Sequence, residues 1–223
     1  MRITKYAQSC FLLETDKLRM LIDPGNLCYS ESFSPEDFGK IDVLLLTHTH
    51  DDHCFPKAVK EINENNPEMR ILCNDEVAAK LKEEASIKNA TILKAGDKKE
   101  FGRISIEAVK SEHGKHPTAD KVPKVLGFLI NDGSNIIYHP GDTRYFEGMP
   151  KADIALLPIC GDFVVMNPED VYKYWLEAKP KLIIPMHYDS QIHPTGTKAF
   201  EIVMSRLTGI KYKILKNGES VEV

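Results

Sequence analysis

The stretch Val43-Leu-Leu-Leu-Thr-His48-Thr-His50-Asp-Asp52-His53 decides the fold of this chain. Its apolar residues show no polar alternation, which is typical of a strand buried on both faces. Three histidines and two adjacent aspartates follow within six residues, where this strand should end. Open sheets place their functional sites at the carboxyl ends of strands. The stretch therefore predicts a buried strand that leads into a metal site.

The spacing of these side chains favours two adjacent ions. His48 and His50 could share one ion if the backbone bends between them, whereas Asp52 and His53 follow too closely to reach that ion comfortably. We therefore expect Asp52 and His53 to bind a second ion. Imidazole and carboxylate ligands suit Zn²⁺, Mn²⁺ or Fe better than Ca²⁺ or Mg²⁺. The alternative, a solvated polar loop, does not explain so dense a set of ligands.

The motif His-x-His-x-Asp-His at 48–53 resembles the signature of the metallo-β-lactamase superfamily. The resemblance covers nearly the whole chain and implies a four-layer α/β fold, the αββα sandwich of two mixed β-sheets with outer helices. We expect residues 1–223 to form a single domain of this fold. Three shorter stretches narrow the resemblance to small stand-alone hydrolases related to ascorbate-6-phosphate lactonase: Gly127-Phe-Leu-Ile, Ile137-Tyr-His-Pro-Gly-Asp-Thr and Ile184-Pro-Met-His-Tyr.

The third histidine ligand is expected after a later strand. His113 follows the alternating stretch 103–109 and precedes a glycine, which permits an unusual backbone path. His116 competes for this role on position alone. The resemblance assigns His113 to the ion bound by His48 and His50.

Two further strand ends complete the implied ligand set. The resemblance implies that Asp142, in a Gly-Asp pair after a strand, bridges both ions. It also implies that His187 joins Asp52 and His53 on the second ion. His139 precedes Asp142 at the end of the same strand, and we expect it to support Asp142 by packing.

Two residues near this set have alternative roles, and a third residue lies outside it. Asp23 in Asp23-Pro24-Gly25 is either a plain turn former or a residue that hydrogen-bonds and orients the metal loop, and the resemblance favours the second role. Cys54 is either a thiolate ligand or a packed free cysteine. His193 lies outside the motif set, and the sequence assigns it no role.

A group of cations near the predicted ligands suggests an anionic substrate. The loop that begins at His113 carries Lys115, His116, Lys121 and Lys124, and Arg144 lies two residues beyond Asp142. We expect Lys115, His116 and Arg144 to contact substrate. The alternative is that the lysines are an ordinary solvated surface.

Composition excludes several classes of protein. A net charge of −4 and a pI near 6.1 give no general attraction for nucleic acid or a membrane surface. Five scattered cysteines without a CxxC pair make a disulfide framework improbable. We expect neither a secretory leader nor a membrane helix, because no charged-then-apolar stretch opens the sequence and no apolar run approaches about 20 residues. We expect a cytoplasmic protein that acts on a small molecule, and a homo-oligomer is compatible with the sequence.

The implied activity is hydrolysis by a hydroxide that bridges two divalent ions, most simply zinc, with manganese or iron as alternatives. Metal binding lowers the pKa of water from about 15.7 to about 7. The predicted substrate is a small anionic ester, lactone, amide or phosphodiester, and Asp52 would also transfer a proton. A redox di-iron protein of the same fold is a rival, although it would be expected to carry glutamate in place of His50. A metal-dependent nuclease, the other rival, would be expected to carry an additional substrate-binding arm or domain.

The remaining elements follow from local patterns. We expect an opening meander of three strands, helices beginning near Pro56, Asn74 and Asn167, and a hairpin at 126–131 and 135–139. The Asn217-Gly218 pair predicts a second hairpin, between 211–215 and 220–223.

Overall fold

The structure is a computed structural model that describes residues 1–28, 33–189, 195–206 and 208–223. The chain divides into two compact units. The first unit comprises Met1–Lys94 and Lys216–Val223, and the second comprises Ala95–Leu215. The prediction of a single domain stays a prediction.

The first unit contains a mixed sheet of seven strands among the described residues. In chain order the strands are β1 (Arg2–Lys5), β2 (Phe11–Glu14), β3 (Arg19–Ile22), β4 (Val43–Leu46), β5 (Arg70–Cys73), β6 (Thr91–Ile92) and β13 (Ser220–Glu222). Their spatial order is β13-β1-β2-β3-β4-β5-β6. The predicted meander β1-β2-β3 is confirmed as antiparallel, and β3 to β6 run parallel.

The helices of the first unit begin where local signals predict them. They are α1 (Pro56–Asn65) and α2 (Asp75–Glu84), with a short 3-10 helix at Pro35–Phe38. The Asn74 side chain accepts a hydrogen bond from the Val77 amide and caps α2. Strand β4 is fully buried, as its unbroken apolar run predicts, and lies between β3 and β5.

The second unit contains a mixed sheet of six strands and two helices among the described residues. The elements are β7 (Lys98–Phe101), β8 (Ile104–Lys110), β9 (Leu126–Asn131), β10 (Ile136–His139), β11 (Ile154–Pro158), α3 (Pro168–Ala178), β12 (Leu182–Met186) and α4 (Lys198–Ser205). The strand order is β12-β11-β10-β9-β8-β7. The β9–β10 hairpin is confirmed. Asn167 and Asp170 form the capping box that begins α3.

The predicted C-terminal hairpin is wrong. Residues 220–222 pair with β1, and the segment around Tyr212 instead bridges β12 through backbone hydrogen bonds of Ile183. Lys5 explains part of this outcome. Its buried ammonium donates to the Tyr6 carbonyl at 2.7 Å and to Asn217 Oδ1 at 3.1 Å, so the Asn217-Gly218 turn binds to β1.

Candidate metal centre

The first unit presents four candidate ligands directly after β4: His48, His50, Asp52 and His53. We call these residues the first ligand set. His48 and His53 are fully buried, Asp52 is partly buried and His50 is exposed. Atoms of His48 and His50 that can bind a metal lie within 4.8 Å of each other. His53 Nε2 lies 3.6 Å from Asp52 Oδ2.

Asp23 lies beside this loop because β3 and β4 are parallel neighbours. It is fully buried, and its carboxylate accepts hydrogen bonds from the Thr47 amide at 2.8 Å and the Thr47 hydroxyl at 2.7 Å. His53 Nδ1 lies 2.7 Å from Asp23 Oδ2. Asp23 therefore makes the contacts expected of a residue that orients the loop.

These contacts set the tautomers of two histidines. The Thr47 hydroxyl donates its proton to Asp23, so its oxygen accepts from His48 Nδ1, 3.0 Å away. A carboxylate only accepts hydrogen bonds, so His53 Nδ1 carries the proton that it shares with Asp23. In the neutral form that can bind a metal, each imidazole then has its lone pair on Nε2.

Lys80, which the sequence did not single out, holds the loop in place, and Gly25 allows the loop after β3 to pass close to it. The Lys80 ammonium, on α2, donates to the Thr49 carbonyl at 2.7 Å and the Cys54 carbonyl at 3.2 Å, and it pairs with Asp51 at 2.6 Å. Gly25 approaches so closely that a Cβ there would lie 1.9 Å from the Asp52 carbonyl oxygen. Cys54 is fully buried, and burial raises the pKa of its thiol to about 12. Among the described residues its sulfur joins neither group of close candidate ligand atoms, as expected of a packed free cysteine.

The second unit brings His113, Asp142 and His187 together, and we call these the second ligand set. Strands β8, β10 and β12 run in the same direction, so their carboxyl ends lie on one edge of the six-stranded sheet. One ligand follows each strand. His113 Nε2 lies 3.7 Å from Asp142 Oδ2, and His187 Nε2 lies 3.4 Å from Asp142 Oδ1.

The histidines of the second ligand set also use Nδ1 for contacts with the protein. His113 Nδ1 donates to the Gly114 carbonyl at 2.5 Å, which leaves the lone pair on Nε2. His187 Nδ1 lies 3.1 Å from the sulfur of Cys160, which follows β11 at the same sheet edge. Sequence reasoning missed Cys160, although its place at a strand end was an available signal.

The other predicted residues differ in position. His139 is fully buried and accepts a hydrogen bond from the Gly141 amide at 3.2 Å, next to Asp142. His116 is exposed and contacts Thr118, so His113 rather than His116 joins Asp142. Lys115 and Arg144 line a cavity in the second unit together with His113. His193 lies outside the described residues.

The donor atoms fit transition-metal ions. Three histidines, one in the second unit, have acceptors that fix the proton on Nδ1 and leave Nε2 available. Carboxylate oxygens of Asp52 and Asp142 lie near histidine nitrogens within each unit. Mixed imidazole and carboxylate ligands of this kind suit zinc, manganese or iron.

Comparisons with known proteins agree with this chemistry. The model of the family described as "Beta-lactamase superfamily domain" matches residues 2–187 of this chain. The chain belongs to this superfamily. A UPF0173 metal-dependent hydrolase from Listeria innocua is 30% identical over 234 residues, covering 100% of both chains.

Two solved structures of other proteins share the fold of this chain. A metallo hydrolase from Ignicoccus hospitalis has a TM-score of 0.80 at 22% identity and covers 99% of this chain and 97% of its own. A metallo-β-lactamase fold protein from Bacillus subtilis has a TM-score of 0.73 at 17% identity and covers 99% of this chain and 98% of its own. The predicted α/β metallo-β-lactamase fold is confirmed, and the comparisons support a metal-dependent hydrolase.

Two further observations concern the helices and the cysteines. Among the residues that the structure describes, no helix is long and apolar enough to cross a membrane. The five cysteines are free thiols, and four of them are buried. The narrower resemblance to ascorbate-6-phosphate lactonase stays a prediction.

Proposed function

We propose that this chain is a dinuclear metal-dependent hydrolase that cleaves an ester, lactone, amide or phosphodiester bond in a small anionic molecule. The observation that carries the proposal is the orientation of the histidines. In four candidate ligands Nδ1 contacts another group of the protein: His48, His53, His113 and His187. In the last three, Nε2 lies near a carboxylate of the same ligand set. Such hydrogen bonds fix the tautomer and orientation of metal-binding histidines.

The ligands divide between two ions according to the superfamily resemblance. His48, His50 and His113 would hold one ion, Asp52, His53 and His187 would hold the other, and Asp142 would be shared. When bound, such a pair of ions polarises the scissile bond and activates water near neutral pH.

Asp52 has a second role in this proposal, as the group that accepts and returns a proton. Its carboxylate is partly exposed, and the Gln8 amide lies 3.4 Å from Asp52 Oδ2. His53 Nε2 lies 3.6 Å from the same oxygen but presents a lone pair to it, so the Gln8 amide is the donor that positions the carboxylate. A general acid or base must be within hydrogen-bond reach of its proton, and a positioned carboxylate meets this requirement.

The cations near His113 support the anionic part of the substrate. Lys115 and Arg144 line a cavity that His113 also lines. Charged hydrogen bonds to an anion contribute about 1.5–3 kcal/mol in a sheltered site, and less at exposed side chains such as these two. His116 is exposed beside this loop, and we retain it as a peripheral substrate contact.

The test combines metal analysis with a hydrolysis screen. The full chain is reconstituted separately with zinc, manganese and iron, and each sample is assayed on lactones, thioesters, β-lactams and phosphodiesters, with charged and neutral members in each class. We expect hydrolysis of at least one anionic class. If none of the metal-reconstituted samples hydrolyses any compound of the panel, the proposal is contradicted. If the iron-reconstituted sample alone reduces oxygen, the alternative of a redox di-iron protein is favoured.

The Asp142→Ala variant tests the shared ligand. We expect it to abolish hydrolysis while largely preserving the fold, because Asp142 lies in a loop at the sheet edge rather than in a strand. Circular dichroism checks the fold. Asp132→Ala, in the β9–β10 turn, is the matched control and should retain activity. Full activity of Asp142→Ala would exclude a central role for this carboxylate.

A further inference from the structure

A large cavity opens beside His113 in the second unit. Its volume is about 940 Å³, and its walls include Lys115, Arg144, Cys160, Phe163 and Val165. The cavity is therefore built from loops that follow β8, β10 and β11, the same sheet edge that carries His113 and Asp142. Cavities of this volume are of the size that binds small molecules.

The cavity wall has two cations available to an anion. Lys115 and Arg144 are both exposed, and within the described ranges neither forms an ion pair. Of the two acids on the wall, Asp170 is engaged, because it pairs with Lys173 at 2.9 Å and accepts from the Asn167 amide. Asp162 is the other acid, so positive charge exceeds unengaged negative charge on this wall.

Phe163 gives the same wall an apolar surface. Its side chain is 81% exposed, and it follows Gly161 and Asp162 in an unbroken run of three residues with left-handed backbone, at φ 79°, 50° and 63°. Non-glycine residues adopt this conformation at a free-energy cost, so the surrounding contacts must impose it.

Backbone hydrogen bonds impose this path on the 161–166 loop. The Gly161 amide donates to the Met166 carbonyl at 3.0 Å, and the Gly114 amide donates to the Val164 carbonyl at 2.8 Å. Gly114 permits that approach, because a Cβ there would lie 1.9 Å from the Phe163 carbonyl oxygen. The loop is thus tied to the residue that follows ligand His113, and it holds an aromatic ring in solvent beside the ligand.

We propose that this cavity binds the part of the substrate that is not cleaved, and that it selects an organic anion carrying an aryl or bulky alkyl group. Arg144 and Lys115 bind the anion, and the exposed ring of Phe163 contacts the apolar group. Phe163 is then a specificity-determining residue. The inference rests on the proposed function for the place of the reaction, but binding in the cavity requires no hydrolysis.

The experiment measures binding of three small probes to the metal-loaded full-length protein by calorimetry. Benzenesulfonate carries both recognised features, methanesulfonate lacks the ring, and methyl phenyl sulfone lacks the charge. Sulfonates are weak ligands of divalent transition metals, so the probes report on the cavity. We expect benzenesulfonate to bind about 3–10-fold more tightly than methanesulfonate, the gain typical of an aromatic contact. We expect it to bind about 10-fold more tightly than the neutral sulfone.

Variants assign these gains to residues. Phe163→Ala should reduce the preference for benzenesulfonate over methanesulfonate to near one, and Phe163→Leu should restore part of it. Arg144→Gln should weaken both sulfonates about 10-fold and leave the sulfone unchanged. The matched controls, Leu176→Ala and Arg103→Gln, remove an exposed apolar side chain and an exposed cation elsewhere in the second unit, and should change nothing.

Two results would overturn the proposal: equal binding of the two sulfonates by the unmodified protein, or a preference that survives Phe163→Ala. Its failure is separate from that of the proposed function. A chain that hydrolyses the panel but shows no probe preference refutes only the cavity assignment. A chain that shows the preference but hydrolyses nothing refutes only the hydrolase.

Discussion

Asp23 contacts two partners that determine how the first ligand set is presented. One carboxylate fixes His53 directly and His48 through the Thr47 hydroxyl. Its backbone has φ 49°, which asparagine tolerates as well as aspartate does. Asp23→Asn therefore changes the charge and hydrogen bonding while keeping the backbone and the size of the side chain.

We predict that Asp23→Asn weakens metal affinity by about 10–100-fold, as the loss of such supporting hydrogen bonds does. Competition with a chromogenic chelator measures the affinity. Asp132→Asn, in a turn of the second unit, is the control. Unchanged affinity would return Asp23 to the status of a turn former.

Lys80 is the second supporting residue of the first ligand set. Its side chain is only 13% exposed, and it binds two carbonyls and one carboxylate of the 49–54 loop. We predict that Lys80→Met lowers metal affinity by about 10-fold, because the loop loses three hydrogen bonds that hold its shape. Lys82→Met, on the same helix but exposed, should have no effect in the same chelator assay. Equal effects of the two variants would contradict this role.

The sequence singled out the candidate ligands and the supporting residue Asp23, but it did not single out Lys80 or Cys160. Ligands follow strands in dense or recognisable motifs, so position alone made His113 a candidate. Lys80 gave no such signal, because a lysine on a helix is usually solvated, and only the tertiary structure brings it to the Thr49 carbonyl. Cys160 was predictable in principle from its place after β11.

At the scale of elements, the loop after β3 must pass very close to the loop after β4. Gly25 has no positive φ, so the only penalty for a side chain there is steric, from the Asp52 backbone at 1.9 Å. We predict that Gly25→Ala destabilises the protein by about 1–3 kcal/mol, the usual cost of overpacking, and weakens metal binding with it. Chemical denaturation of the metal-free and metal-loaded protein measures both effects.

The control for Gly25 is Gly133, which has the opposite properties. A Cβ at Gly133 meets nothing within 4 Å, but its φ is 91°. Gly133→Ala should therefore cost stability through backbone strain alone and leave the metal affinity unchanged. If Gly25→Ala leaves metal affinity unchanged as well, the close approach of the two loops has no role in shaping the site.

Strands and helices with strong local signals were predictable, whereas pairing between distant segments was not. Some elements are determined by residues within the element itself: the strand 43–46, the helix start at Asn167 and the 126–139 hairpin. The prediction of a terminal hairpin was wrong because the turn signal is local, whereas the strand 220–222 pairs with a distant strand, β1. Strand β1 offered backbone partners to 220–222, and the buried Lys5 ammonium fixed the turn residue Asn217.

At the scale of the whole molecule, the candidate ligands come from both units. The first ligand set belongs to the first unit, and the second ligand set belongs to the second. The order of these residues along the chain, together with the superfamily resemblance, predicts which of them share an ion. Removing one ligand at a time and counting ions on the intact chain tests that division.

The last prediction concerns metal stoichiometry and stability together. We expect two ions per chain in the unmodified protein and one in His187→Ala, because His187 is assigned to only one of the ions. A ligand that binds only the folded state stabilises it by about 2.7 kcal/mol at a free concentration of 100 Kd. Metal should therefore raise the unfolding temperature of the unmodified protein more than that of His187→Ala, and a strong chelator should remove both increments.

His116→Ala is the matched control, because His116 is exposed and contacts Thr118. It should retain two ions and the full thermal shift. Elemental analysis after gel filtration gives the count, and scanning calorimetry at fixed free metal gives the shift. Because each site adds its own stabilisation by mass action, count and shift should fall together in His187→Ala. Two ions retained in His187→Ala, or a stoichiometry below one in the unmodified protein after reconstitution with zinc, manganese or iron, would refute the two-ion assignment.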